Sequence, residues 1–246
     1  SCVTIFKPRE PTPSRGAPDH PLLARLLCER FRRLLRLMGE PLTLVGLPRL
    51  SLPPALGSQL RPHDFTLVCR EKHSQHQEGT REWAFTEIAQ WLDSAVSGTS
   101  TASRLFWLMG GGGTGKSVLT AELLHRHFTR VAAWHFCRHD DKEKSAPPAM
   151  LHSLAAMLCH RLPGYAAALG EVPTAVLSSS DPQELFEGLV LAPLKHVTPP
   201  AQPMLIILDA LDEIPREAQK PLLDVITKQL AQLPPWLKLF VTSREE

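Results

Sequence analysis

The sequence predicts an α/β fold of three layers, a mainly parallel sheet between two sets of helices, and three observations lead there. An apolar run, Leu105 to Met109, breaks into Gly110-Gly111-Gly112-Gly113-Thr114-Gly115-Lys116-Ser117, and a helix-like stretch follows. A second apolar run, Met204 to Leu208, closes on Asp209. Strand-like runs at 130–137 and 237–241 alternate with helical periodicities, the pattern that builds parallel sheets through crossover helices.

Taken in order, residues 1–64 read as a Pro-rich, basic N-terminal extension. Prolines at 8, 11, 13, 18 and 21 predict a disordered or loosely attached lead-in over 1–20. Residues 22–38 read as an amphipathic helix, with Leu23, Leu27, Phe31, Leu34 and Met38 on one face and Arg25, Arg32, Arg33 and Arg36 largely off it. A helix packed on its own domain with a solvated basic face is favoured over a membrane-surface or partner-binding element. Prolines at 41, 48, 53, 54 and 62 make 41–64 a linker.

Residues 65–103 read as a helical approach segment and linker. The helix spans 81–96, lined by Phe85, Ile88, Leu92 and Val96, and Ser97–Ser103 is the linker. Upstream, Cys69, His73 and His76 supply three metal-ligating side chains in a polar stretch, but no fourth ligand completes a closed zinc site.

Residues 104–246 form the third segment. Gly110 to Ser117 satisfies G-x-x-x-x-G-K-[ST], a phosphate-binding loop. Backbone N–H groups can wrap a phosphate chain only where no Cβ blocks approach, and the following helix offers its positive N-terminus. Gly110 through Val118 are therefore the candidate nucleotide-binding residues, with Lys116 on the β- and γ-phosphates and Ser117 on Mg²⁺. At average residue usage the four fixed positions match by accident in roughly one chain of this length in a hundred. The strand-like run before the loop and the helix-like run after it argue further against a chance glycine turn. Helices are predicted over 149–162, 183–196 and 216–232. Asp209, at the end of a buried strand, is the second candidate Mg²⁺ ligand, and Asp212 and Glu213 follow it closely. Thr242, Ser243 and Arg244 close the last strand at the end where open α/β sheets bind ligands. His135, His139, His152 and His160 lack the paired spacing of a metal helix and read as surface or packed histidines.

Composition narrows the classes. Hydrophobic content of 43% and charged content of 21% are ordinary for a globular protein. Residues 1–64 carry ten Lys/Arg against five Asp/Glu, and the remainder seventeen against twenty, so the loop-bearing part gives no reason to expect nucleic acid. Five scattered cysteines without CxxC spacing predict reduced thiols and a cytoplasmic setting, and no apolar run is long enough for a transmembrane segment.

Five segments in order carry a resemblance over roughly residues 80–246. They are the Arg81-Glu82-Trp83 helix, Leu105 through Ser117, Ala133-Trp-His-Phe-Cys-Arg-His-Asp-Asp141, Ile206-Ile-Leu-Asp-Ala-Leu-Asp-Glu213 and Phe240-Val-Thr-Ser-Arg244. Together they resemble the STAND class of P-loop NTPases, of the ASCE type, and within it the NACHT and nephrocystin-3-like domains. The resemblance implies ATP/ADP and Mg²⁺ as cofactors, a slow nucleotide switch in signal transduction, and open states that self-associate. Ser117 and Asp209 would hold Mg²⁺, Glu213 or Asp212 would orient and polarise the attacking water, and Lys116 and Arg244 would stabilise charge on the γ-phosphate. Arg81 would lie near the base or ribose, although Thr80 replaces a glycine common in that class. The implied sheet has five parallel strands in the order 5-1-4-3-2, and four are countable here (105–109, 131–137, 204–208 and 237–241). The expectation is a core truncated before its last strand, with a sheet edge exposed beside the loop strand. Protein partners would bind through domains outside this stretch.

A binding scaffold that holds nucleotide without turnover is the alternative, and intact Lys116, Ser117, Asp209 and Glu213 argue against a degenerate site. A small-molecule kinase shares the loop but fits the doubled acids and Thr-Ser-Arg less well. The absence of an Asn-Lys-x-Asp guanine-reading element leaves ATP over GTP resting on the resemblance.

Overall fold

In a computed structural model, the chain is described over residues 3–6, 56, 60, 62–94 and 104–245. The helix expected at 22–38, most of the 41–64 linker and the linker at Ser97–Ser103 lie outside the described residues.

The strands are β1 (Val3–Phe6), β2 (Leu105–Gly110), β3 (Val131–Phe136), β4 (Met204–Asp209) and β5 (Leu237–Ser243). They form one sheet in the order β1-β2-β5-β4-β3. β2, β5, β4 and β3 are parallel neighbours, the arrangement expected for the four countable strands. Every residue of β3, β4 and β5 is buried, whereas alternate residues of β2 are only half-buried. Burial on both faces requires helices on both sides, and it explains why these strands read as continuous apolar runs.

The outer edge of β2 corrects an expectation. Val3–Phe6, in the stretch expected to be a loose lead-in, pairs antiparallel with β2, from Val3 opposite Gly110 to Phe6 opposite Trp107. Among the described residues the edge beside the loop strand is therefore occupied. An open edge presents unpaired N–H and C=O groups, and Val-Thr-Ile-Phe is a β-branched and aromatic segment suited to pair with it.

The α-helices of five residues or more are, among the described residues, α1 (Thr66–Ser74), α2 (Glu82–Asp93), α3 (Lys116–Arg126), α4 (Pro147–Arg161), α5 (Tyr165–Gly170), α6 (Pro182–Phe186) and α7 (Arg216–Gln229). α6 continues through a π turn, Glu187–Leu191, into Ala192–Leu194. Residues of α4, α6 and α7 meet Ile206, Leu208 and Leu239 on one side of the sheet. Trp91 of α2 packs on Phe106, which stacks on Phe240, and Phe65 packs on Phe136.

α1 was not expected from periodicity. It starts where the Thr66 N–H donates to the Asp64 carboxylate (2.8 Å), and the Thr66 hydroxyl together with this N–H holds the Asp64 carboxyl below its usual pKa. Phe65 and Cys69 anchor it in the core, at 2% and 1% exposure. Leu56 and Leu60, within the stretch read as linker, are buried in the same core.

Candidate functional site

The glycine-rich loop sits where β2 ends and α3 begins. Gly113 and Gly115 take φ of 72° and 78°, left-handed values that glycine adopts without strain. A Cβ on Gly115 would also lie 3.0 Å from the Arg81 guanidinium. Arg81, itself left-handed at φ 59°, donates from Nη1 to the Gly115 carbonyl (2.9 Å) and from Nη2 to the Thr114 carbonyl. The loop is thus pinned from outside by the residue that opens α2. Inside it, the Thr114 hydroxyl donates to the Gly111 carbonyl (2.9 Å), and Lys116 Nζ donates to the carbonyls of Gly110 (2.6 Å) and Gly111 (3.0 Å).

Asp209 lies beside this loop at 2% exposure. Its Oδ1 accepts from Thr120 Oγ1 and Thr242 Oγ1, both at 2.7 Å, and Ser117 also hydrogen-bonds to the carboxylate. Burial pushes its pKa up, while the three hydroxyls pull it down. A buried carboxylate whose partners are three neutral hydroxyls keeps acceptor capacity and has no cation among them. A hard divalent cation fits this donor set, with Ser117 and Asp209 as oxygen ligands.

Ala210 follows at φ 58°, and its N–H donates to Thr242 Oγ1 (2.8 Å). A left-handed non-glycine residue costs roughly 1–2 kcal/mol, least where the side chain is small. The backbone turns there to present Asp212 and Glu213. Both Asp212 oxygens are committed to Arg244, Oδ1 to its backbone N–H (3.0 Å) and Oδ2 to Nε (2.9 Å). Glu213 Oε2 faces the His139 N–H (3.0 Å) and Nδ1 (3.2 Å).

The predicted residues converge on two adjoining cavities. One, of about 320 Å³, is lined by Gly112 through Val118 together with Ala210, Asp212, Glu213 and Arg244. The other, of about 240 Å³, is bordered by Ser117, Asp209 and Glu213. Gly110 and Gly111 line neither and serve instead as acceptors for Lys116. A third cavity, about 280 Å³, lies between Gly115, Val118 and the turn from Gln75 to Arg81.

Sequence reasoning missed Thr120, whose place one helical turn after Lys116 was a usable signal. It also missed His139, whose contact with Glu213 spans 74 residues of chain and carries no local signature. Cys69, His73 and His76 do not assemble as ligands. The Cys69 thiol points into the core, where burial raises its pKa to about 12, and both histidines turn toward Glu122 of α3 (3.2 and 3.9 Å). Among the described residues, no group of three or more His, Cys, Asp or Glu is placed to hold a metal, and no helix is long and apolar enough to cross a membrane.

No solved structure matches the chain. The family model described as nephrocystin 3, N-terminal, matches residues 79–244, about two thirds of the sequence, from the turn before α2 to the arginine after β5. That span contains the loop, Asp209, the acidic turn and Arg244, and on a match of this extent the chain belongs to the nephrocystin 3 N-terminal family.

Proposed function

We propose that the chain is a Mg²⁺-dependent ATP-binding module of the P-loop NTPase class, NACHT-like, acting as a slow ATP/ADP switch in regulated assembly. The observation that carries this reading is the placement of Ser117, next to Lys116 at the start of α3, against the buried Asp209 carboxylate. In this reading the phosphate chain lies in the loop cavity against the α3 N-terminus and is wrapped by the backbone N–H groups of residues 112–118. Lys116 exchanges its loop carbonyls for phosphate oxygens. Ser117 and Asp209 would hold Mg²⁺, which would supply charge neutralisation to the phosphates.

The acidic turn separates into two roles. Both oxygens of Asp212 hold Arg244, so Asp212 positions the arginine that faces the terminal phosphate. Glu213 reaches both cavities and keeps one oxygen, Oε1, clear of His139 to orient water. Slow turnover then makes the bound state depend on which nucleotide is held, and the γ-phosphate acts through its contacts in one state and not the other.

The test is to denature the purified chain, identify the released nucleotide by chromatography, and titrate Mg-ATP, Mg-ADP and Mg-GTP calorimetrically. Bound ADP or ATP, adenine preferred over guanine, and loss of binding in Lys116→Ala are the expected results. A chain that retains nothing and ignores all three nucleotides would overturn the reading and leave a scaffold.

A further inference from the structure

α1 lies ahead of the family-matched residues 79–244, yet it borders the site. It is docked on α3, the helix that follows the loop. Cys69 is buried at the contact, His73 Nε2 approaches Glu122 Oε2 to 3.2 Å, and the His73 and His125 rings stand 4.3 Å apart. This docking turns Val68, Glu71 and Lys72 toward the cavity that holds Asp209, and Lys72 toward the loop cavity as well. Among the described residues only Lys72, Ser117, Ala210 and Glu213 line both, so they mark the junction where the two cavities meet.

The cations around this junction are not equivalent. Lys116 donates to loop carbonyls, Arg244 is held by Asp212, and Arg138 is held by Asp140 at 2.6 Å. The Lys72 ammonium makes no hydrogen bond among the described residues. Its nearest carboxylate is the adjacent, largely exposed Glu71, at 3.6 Å, and about a third of its own side chain meets solvent. An ammonium without a committed hydrogen-bond acceptor, at the edge of a loop cavity lined by Lys116 and Arg244 as well as by Asp212 and Glu213, has its donors free for an anion's oxygens.

We propose that Lys72 senses the terminal phosphate of a bound nucleoside triphosphate, so that α1 responds to whether a third phosphate is present. This rests on the nucleotide-binding reading above. With the phosphate chain along the loop, a diphosphate stops short of the junction, and the next phosphate lies between Ser117, Glu213 and Lys72. Because α1 is fastened to α3 through His73 and Glu122, a bond from Lys72 to that phosphate ties α1 to the loop at a second point.

Wild type, Lys72→Ala and Lys72→Arg are compared in the full chain by calorimetric titration with Mg-ADP and with Mg-bound β,γ-imido-ATP. A thermal melt confirms that each variant is folded. The alanine variant is expected to bind the triphosphate analogue about tenfold more weakly, the size of one charge-assisted hydrogen bond, and ADP within twofold of wild type. Arginine is expected to recover most of the loss. An unchanged ratio of triphosphate to diphosphate affinity overturns the proposal, whether both affinities hold, as for a solvated surface lysine, or both fall together. Failure of wild type to bind either nucleotide would instead remove the underlying reading, so the two failures are distinguishable.

Discussion

Asp209 and Lys238 lie on neighbouring strands of one sheet, both sealed from solvent, and the protein accommodates them in opposite ways. Lys238, near the start of β5, donates to the carbonyls of Trp91 and Ser94 and to Ser94 Oγ, and its ammonium stands 5.1 Å from the centre of the Trp91 ring. These acceptors are the C-terminal end of α2, where the helix dipole is negative, so the charge is met by partial charge of opposite sign. Burial pulls its pKa down to about 8, which still leaves it protonated at neutral pH. Asp209, at the far end of β4, has neutral hydroxyls and nothing cationic among its hydrogen-bond partners. A buried charge whose compensation is built in fastens one element to another. One held by neutral hydroxyls alone keeps its desolvation cost.

The largest way to break this contrast is Asp209→Asn. The amide keeps an acceptor for Thr120 and Thr242 but removes the charge, so on the proposed function Mg²⁺-dependent hydrolysis should fall roughly 10²–10³-fold, measured as phosphate release. The ligand-free protein should melt no lower than wild type, because folding no longer desolvates a carboxylate. Lys238→Met should do the reverse, costing about 3 kcal/mol in denaturant unfolding because buried carbonyls lose their donor. On the proposed function, the nucleotide affinity of the folded variant should be unchanged. The smallest effect comes from His135, which avoids charge altogether. Its Nε2 bonds to the Lys144 carbonyl (2.9 Å), Nδ1 is buried without a partner, and burial lowers its pKa to about 4. The unfolded chain takes up a proton near pH 6.5 and the folded one does not. Stability should therefore fall by about 1 kcal/mol between pH 6.5 and 5.5 and keep falling toward pH 4. A His135→Phe variant should show a flatter profile.

Much of this arrangement was legible in the sequence because it is local. The apolar runs of β2 to β5, the glycine loop and the acid closing β4 each declare themselves within a few residues. Asp209's partners are another matter. Thr242 stood out as part of a polar triplet, but its contact with Asp209 exists only because β5 is inserted between β2 and β4. α1 escaped notice because Cys-Arg-Glu-Lys-His-Ser has little apolar periodicity. Its place is fixed by Phe65 and Cys69 rather than by a stripe. Leu56 and Leu60 were hidden by the prolines around them, and Val3–Phe6 by those that follow. Buried side chains at 56, 60, 65 and 69, and a strand ladder at Val3–Phe6, outweighed the composition of each stretch.

The antiparallel course of β1 has a mechanical consequence. β2 and β5 both run toward the loop, and β1 runs away from it, with Val3 opposite Gly110. The chain therefore enters β1 and leaves β5 at the same end of the sheet, the one that carries the loop. A load applied between Val3 and Glu245 pulls on the β1–β2 ladder from its loop end. The ladder then opens as a zipper, beginning at the Val3–Gly110 pair, instead of resisting in shear. The first rung to part is the one that anchors the start of the glycine-rich loop.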